Sequence, residues 1–175
     1  VSEVANNLMK DLRAKGVRVK FDKRDTHKPG WKFNEYELKG VPLRIAIGPK
    51  DLEKGTVEMA RRDTLTKEIV ETTSVVARVE GLLEEIQDNL FTKAINYRTT
   101  HTTKVSNYDE FKKVLNEKGG FISAHWDGTS ETEEKIKKET KATIRCIPLD
   151  TDNEAGTCIV TGKVSARKVL FAKAY

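Results

Sequence analysis

Acidic and basic side chains crowd one stretch, residues 21–51, which reads FDKRDTHKPGWKFNEYELKGVPLRIAIGPKD. Its carboxylates can accept hydrogen bonds from amino groups, and its arginines and lysines can donate to carbonyl oxygens and phosphates. That is the chemistry of recognising nucleobases rather than of transforming them. No nucleophile in the stretch pairs with a general base, so no catalytic residue is assigned. The residue types alone leave two readings open, base recognition and ordinary solvated loop charge.

Such a rim needs elements to hold it. Residues 17–21 alternate apolar and polar side chains as a strand does, and Pro29-Gly30 punctuates a charged loop. Trp31, Glu35 and Leu38 lie at i, i+4 and i+7, which predicts a helix over residues 31–39 with Gly40 as its cap. Leu43, Ile45 and Ile47 then alternate with Arg44 and Ala46 as a second strand that Gly48-Pro49 ends. Upstream, Ser2 is a candidate N-cap for an amphipathic helix carrying Val4, Leu8 and Leu12 and closing at Lys15-Gly16. Downstream, GPKD at 48–51 and LEKG at 52–55 read as turns, residues 56–60 and 64–70 as paired strands, and Arg61-Arg62-Asp63 as their charged tip. Val75, Val79, Leu82, Ile86 and Leu90 keep helical spacing, so one long helix is expected from about Ser74 to the polar run 98–104. Alternating helices and strands favour an α/β fold whose sheet is mixed, largely parallel and lacking its first strand.

A second, smaller unit is expected to follow, of α+β class. Tyr108, Phe111, Val114 and Leu115 predict a short helix ending at Gly119-Gly120, and residues 121–126 a strand. Residues 131–140 form a charged helix with Ile136 on its thin apolar face, and residues 143–148, 157–160 and 169–172 supply three more strands around a mobile loop at 150–156. The expected division is 1–73, a linking helix at 74–106, and 107–175.

The chain has 175 residues, 37% of them hydrophobic and 34% charged, which is the balance of a folded chain that is not a membrane span. A net charge of +5 suits a nucleic-acid partner, but 27 acidic residues require any basic patch to be local. Cys146 and Cys158 read as free thiols in a reducing cytoplasm. His125, Asp127, Cys146 and Cys158 are conceivable zinc ligands, yet they lack the close C-x2-C pairing of a closed site.

The stretch FDKRDTHKPGWKFNEYELKGVPLRIAIGPKDLEKG resembles the anticodon-binding domain of class II aminoacyl-tRNA synthetases, and closely that of prolyl-tRNA synthetases. The likeness runs from the first helix to Tyr175 and is to the archaeal and eukaryotic type. It implies the C-terminal half of a homodimeric enzyme that uses ATP and Mg to join proline to its tRNA through prolyl-adenylate. A strand of the same sheet would precede residue 1, so the chain is expected to be a piece of a longer protein. The class II motifs for ATP and amino acid are not found here, and the piece is not expected to activate proline alone. By resemblance, Glu37, Arg44, Lys50 and Asp51 face the two guanines shared by proline anticodons. Arg24, Asp25, Lys32 and Lys67 are secondary candidates for RNA contact, with solvated charge as their other reading. The terminal AKAY matches a family ending in which the carboxylate, here that of Tyr175, reaches back to the catalytic domain. The zinc ligands of the family's C-terminal domain fall on Asp127, Thr132, Cys158 and Thr161, so the fold is expected to persist without the metal. The competing hypothesis is a free-standing RNA-binding or protein-interaction module that shares only the fold.

Overall fold

The computed structural model describes residues 1–149 and 154–174. The chain divides into two compact units, Val1–Lys93 and Ala94–Tyr175.

The first unit begins with helix α1, Ser2–Ala14, whose Leu8 and Leu12 are buried as their i, i+4 spacing requires. Ser2 is its first helical residue rather than its cap, since Val1 occupies that position. Residues 17–21, read from sequence as a strand, join no ladder among the described residues. The helix end takes up their polar groups instead: Leu12 O accepts from Val17 N, and Arg13 Nη2 donates to Val19 O. Helix α2, Pro29–Leu38, starts with Pro at its first position, where a missing N–H costs nothing. Strand β1, Leu43–Ala46, follows. The GPKD segment, expected as a turn, is a one-turn helix α3, Pro49–Glu53, because Pro49 again suits the first helical position and Asp51 caps the start. Strands β2, Thr56–Arg61, and β3, Lys67–Glu71, complete a sheet of order β1-β2-β3.

Both pairings are antiparallel, contrary to the largely parallel sheet that the alternation of elements favours. The connections are too short for anything else, because a parallel return needs a crossover of a dozen or more residues. Helix α4, Val75–Thr100, spans the division between the units and buries Val75, Val79, Leu82 and Ile86. Together with α1 it covers one face of the sheet, where Val57 and Met59 are buried in a common core with Leu8, Leu12, Val75, Val79 and Leu82. Strand pleating sends Glu58 and Ala60 to the opposite face, and the register sets Arg44 beside Ala60 and Lys67 on its other side. That uncovered face positions the site.

In the second unit, strand β4, Thr102–Lys104, leads through helix α5, Tyr108–Glu117, to strand β5, Phe121–His125, in a parallel β-α-β step. Residues 98–104 were expected only as the polar end of the long helix. Thr102–Lys104 pairs because Phe121 N donates to His101 O, and Gly120, at φ +80°, leaves room where a Cβ would meet that oxygen at 2.5 Å. Helix α6, Ser130–Thr140, strand β6, Ala142–Cys146, the short ribbon β7, Gly156–Thr157, with β8, Val164–Ser165, and strand β9, Lys168–Lys173, follow. Beyond Thr157 the expected strand 157–160 turns instead, with Gly162 N donating to Cys158 O. The four-stranded sheet has the order β4-β5-β9-β6. Its core centres on Phe111 edge-on to Phe171, 5.3 Å between ring centroids, with Ile122, Ala124, Ile136 and Val169. Residues 150–153 of the loop expected to be mobile lie outside the described residues, as does Tyr175.

Candidate nucleic-acid interface

On the open face of the first unit's sheet, Arg44 of β1 is the centre of a cluster drawn from four elements. Its guanidinium carbon lies 3.6 Å from the centroid of the Phe33 ring on α2, a cation–π stack that fixes the plane of the group. Nη1 is 3.4 Å from Glu37 Oε1 of α2, and Nη2 is 3.7 Å from Glu58 Oε1 of β2. Lys67 of β3 reaches the same Glu58 oxygen at 3.0 Å. Arg62 braces α2 from below, donating from Nε to Glu37 O at 2.9 Å and from its backbone N to Pro42 O. Arg44 Nε is buried and has no hydrogen-bond partner among the described residues. Glu37, by contrast, keeps 49% of its side chain exposed. The result is a planar donor held flat and a carboxylate half open to solvent beside it, with ion pairs at the long end of the range. A guanine edge, with N1–H and N2–H2 to donate and O6 and N7 to accept, matches such a pair of groups.

Glu37 and Arg44 lie in one cluster, which Lys67, a secondary candidate, joins through Glu58. Lys50 and Asp51 sit instead on α3, where Asp51 Oδ2 accepts from Gly48 N at 2.8 Å and anchors the start of that helix. Lys50 is exposed, as is Asp25 in the loop before α2. Arg24 and Lys32 belong to a separate cluster. Arg24 makes a bidentate pair with Asp22, Nε–Oδ1 2.9 Å and Nη2–Oδ2 2.6 Å, and its Nη2 also meets Glu35 at 2.5 Å. Lys32 Nζ donates to Arg24 O, and Lys39 pairs with Glu35 at 2.5 Å. Hydrogen bonds from the Arg24 side chain hold the Asp22 carboxyl well below the usual carboxylate range, while Lys39 first and Arg24 second lower that of Glu35. Arg24 thus arrives with its charge already balanced by two carboxylates.

Phe33, Glu58 and Arg62 were missed by the sequence reading. Glu58 carried a signal, since it alternates with buried Val57 and Met59 and so must share a face with Arg44. Phe33 and Arg62 carried none, because their contacts depend on how α2 lies over the sheet. A third set of charges is structural: Arg61 clamps Asp63 at 2.8 Å and Glu85 of α4 at 2.9 Å, and Asn89 donates to Asp63 at 2.7 Å. The Arg61 side chain first, with Asn89 helping and burial opposing, pulls the Asp63 carboxyl down to about 2.

In the second unit, Asp127, Thr132 and Thr161 meet. Asp127 Oδ2 accepts from the hydroxyls of both threonines at 2.9 Å, and its Oδ1 accepts from the Thr129 hydroxyl at 2.9 Å. Burial would raise this carboxyl, but the hydroxyls of Thr129, Thr161 and Thr132 and the Thr129 N–H together hold it below the usual range. Cys158 is buried and free, and Cys146 is exposed on β6. One thiol, one carboxylate and two hydroxyls that already donate to that carboxylate do not fit zinc. Among the described residues no three His, Cys, Asp or Glu side chains gather as a metal site, and no helix is long and apolar enough to cross a membrane.

Residues 1–82 match the family model of the anticodon binding domain, and residues 108–175 match that of the C-terminal domain of prolyl-tRNA synthetase. Among curated relatives, a proline–tRNA ligase of Christiangramia forsetii is 67% identical over the whole chain, and that of Porphyromonas gingivalis strain ATCC 33277 is 60% identical. The chain covers 36% and 35% of those two proteins, about a third of their length. Among solved structures, the prolyl-tRNA synthetase of Cryptosporidium parvum, complexed with L-proline and AMP, superposes with a TM-score of 0.86 at 33% identity. That match covers 99% of this chain and 37% of that one.

Proposed function

We propose that the chain is part of a prolyl-tRNA synthetase, and that its first unit reads the anticodon of proline tRNA within an enzyme that attaches proline to that tRNA. The observation that carries the reading is Arg44, held flat against Phe33 at 3.6 Å beside the half-exposed carboxylate of Glu37. Glu37 takes the N1–H and N2–H2 of one shared guanine, and Arg44 donates to the O6 and N7 of the other. Single-stranded anticodon bases expose those edges, as sequence-specific RNA recognition requires. Lys50 and Asp51 contribute from the start of α3, and Lys67 adds a further positive charge.

Residues 1–73 act as the anticodon-binding domain, 74–106 as its connecting helix and 107–175 as the C-terminal domain. The whole enzyme is a cytoplasmic homodimer of the archaeal and eukaryotic type, a type that the likeness to the Cryptosporidium parvum protein supports although the bacterial relatives are closer in sequence. ATP and Mg act in its catalytic domain, and the 175-residue chain does not itself activate proline. The C-terminal domain holds no zinc in this reading, because three of the four positions where the resemblance puts the family's ligands, Asp127, Thr132 and Thr161, are tied to one another by hydrogen bonds and Cys158 alone offers a thiol. The test is binding of this chain, at one fixed salt concentration, to proline tRNA and to the same tRNA with both shared guanines replaced. A preference for the intact anticodon is expected. Equal binding of the two would reduce the site to a sequence-blind basic surface.

A further inference from the structure

The loop before α2 and the first turn of that helix carry an aromatic stack that the guanine-reading cluster does not use. His27 and Trp31 lie with ring centroids 3.9 Å apart and planes 32° from parallel, and the Arg24 guanidinium sits 5.2 Å from the Trp31 centroid. The stack is fixed in place. Thr26 Oγ1 holds His27 Nδ1 at 2.8 Å, and the Asp22 and Glu35 carboxylates hold Arg24. Trp31 nevertheless leaves 47% of its surface in water, although an indole so placed gains nothing for the core. The charge around it is complementary to a polyanion. Residues 18–35 hold six cations, Arg18, Lys20, Lys23, Arg24, Lys28 and Lys32, against Asp22, Asp25 and Glu35.

From this geometry we infer that Trp31, backed by His27, is a second RNA site: a stacking platform for one unpaired nucleobase, which it holds by its face and does not identify by its edges. A flat aromatic surface accepts any base, and flanking lysines meet the phosphates on either side. The Arg24 guanidinium near the indole is engaged by the Asp22 and Glu35 carboxylates, so the platform supplies affinity and registers the strand while discrimination stays with Arg44 and Glu37. The inference rests on the proposal that this unit binds the anticodon loop.

The test uses the 175-residue chain, W31A and W31F, with two RNA hairpins at fixed salt: the proline anticodon stem-loop, and the same hairpin with both guanines replaced. W31A is expected to weaken both hairpins by the same factor, about 5- to 150-fold for one lost base stack, with W31F retaining part of the affinity. Either hairpin should quench the Trp31 emission, obtained as the wild-type minus W31F difference because Trp126 is the other tryptophan. Unchanged affinity in W31A, or a loss confined to the intact hairpin, would overturn the platform; the second would mean that Trp31 only shapes the guanine site. A wild-type chain that binds both hairpins alike would sink the anticodon reading, yet equal quenching and equal W31A losses would still uphold the platform. Melting of W31A close to wild type is the control that the fold persists.

Discussion

Replacing Arg44 by lysine separates reading from simple attraction, because it keeps the charge and removes the geometry. In the structure, the guanidinium lies 3.6 Å from Phe33 and presents Nη1 toward Glu37 at 3.4 Å and Nη2 toward Glu58 at 3.7 Å. An ammonium cannot offer a planar fork to O6 and N7 of one guanine, and it stacks less well on the ring. A bidentate base contact contributes about 1–3 kcal/mol of discrimination, so R44K should lose about 5- to 150-fold in preference at one guanine. The protein itself should barely notice: loss of the stack costs about 0.5–1 kcal/mol at a partly exposed site. The assay is equilibrium binding, at fixed salt, of wild type and R44K to three hairpins: the intact anticodon stem-loop and one with each guanine replaced singly. The preference should collapse at one position and persist at the other. If R44K keeps both preferences, Arg44 serves as a charge near phosphate and the geometric argument is wrong. If both vanish together, Arg44 holds the site together rather than reading one base.

Asp63, whose side chain is 1% exposed, has its carboxyl lowered from the ordinary value to about 2 by Arg61. A lowered acid contributes stability that is complete above about pH 4 and is lost as pH falls through about 2, so D63N should melt below wild type at pH 5 by a margin worth about 1–2 kcal/mol. That margin should shrink away toward pH 2, and a margin independent of pH would refute the linkage. D127A removes the acceptor of three threonine hydroxyls and should destabilise the second unit by about 1.5–3 kcal/mol, read by hydrogen exchange in α6 and β9, while hairpin binding is unchanged. D51N keeps a carbonyl oxygen for the Gly48 N–H and so should preserve stability while losing discrimination, whereas D51A should lose both; equal discrimination in D51N and wild type would assign Asp51 to capping alone.

Periodicity made most elements legible. Leu8 and Leu12, and the run from Val75 to Ile86, are buried on the faces that their spacing dictates. What failed were the short pieces whose existence depends on a neighbour. Thr102–Lys104 is a strand only because Phe121 and Ile122 lie beside it, and three polar residues carry no pattern of their own. Residues 17–21 have the right alternation, but the end of α1 takes their backbone groups before a ladder can. The Asp127 network was half legible. Thr129 caps α6 and Thr132 lies three residues on, as capping residues do, whereas Thr161 arrives from a distant turn that no local spacing foretells.

The same distinction decides which charges of the 21–51 stretch are available to RNA. In sequence they are alike, a continuous mixture of both signs. In the structure they differ in how tightly each is held. Arg24 meets its carboxylates at 2.5–2.9 Å; a base edge would have to break those contacts at close to their full strength. Arg44 meets Glu37 and Glu58 only at 3.4 and 3.7 Å, with a buried Nε that has no partner among the described residues. Exchanging such loose pairs for a guanine edge surrenders little. A reading site therefore differs from a structural ion pair less in its residue types than in how incompletely those residues satisfy each other, and that property is invisible until the sheet and α2 are in place.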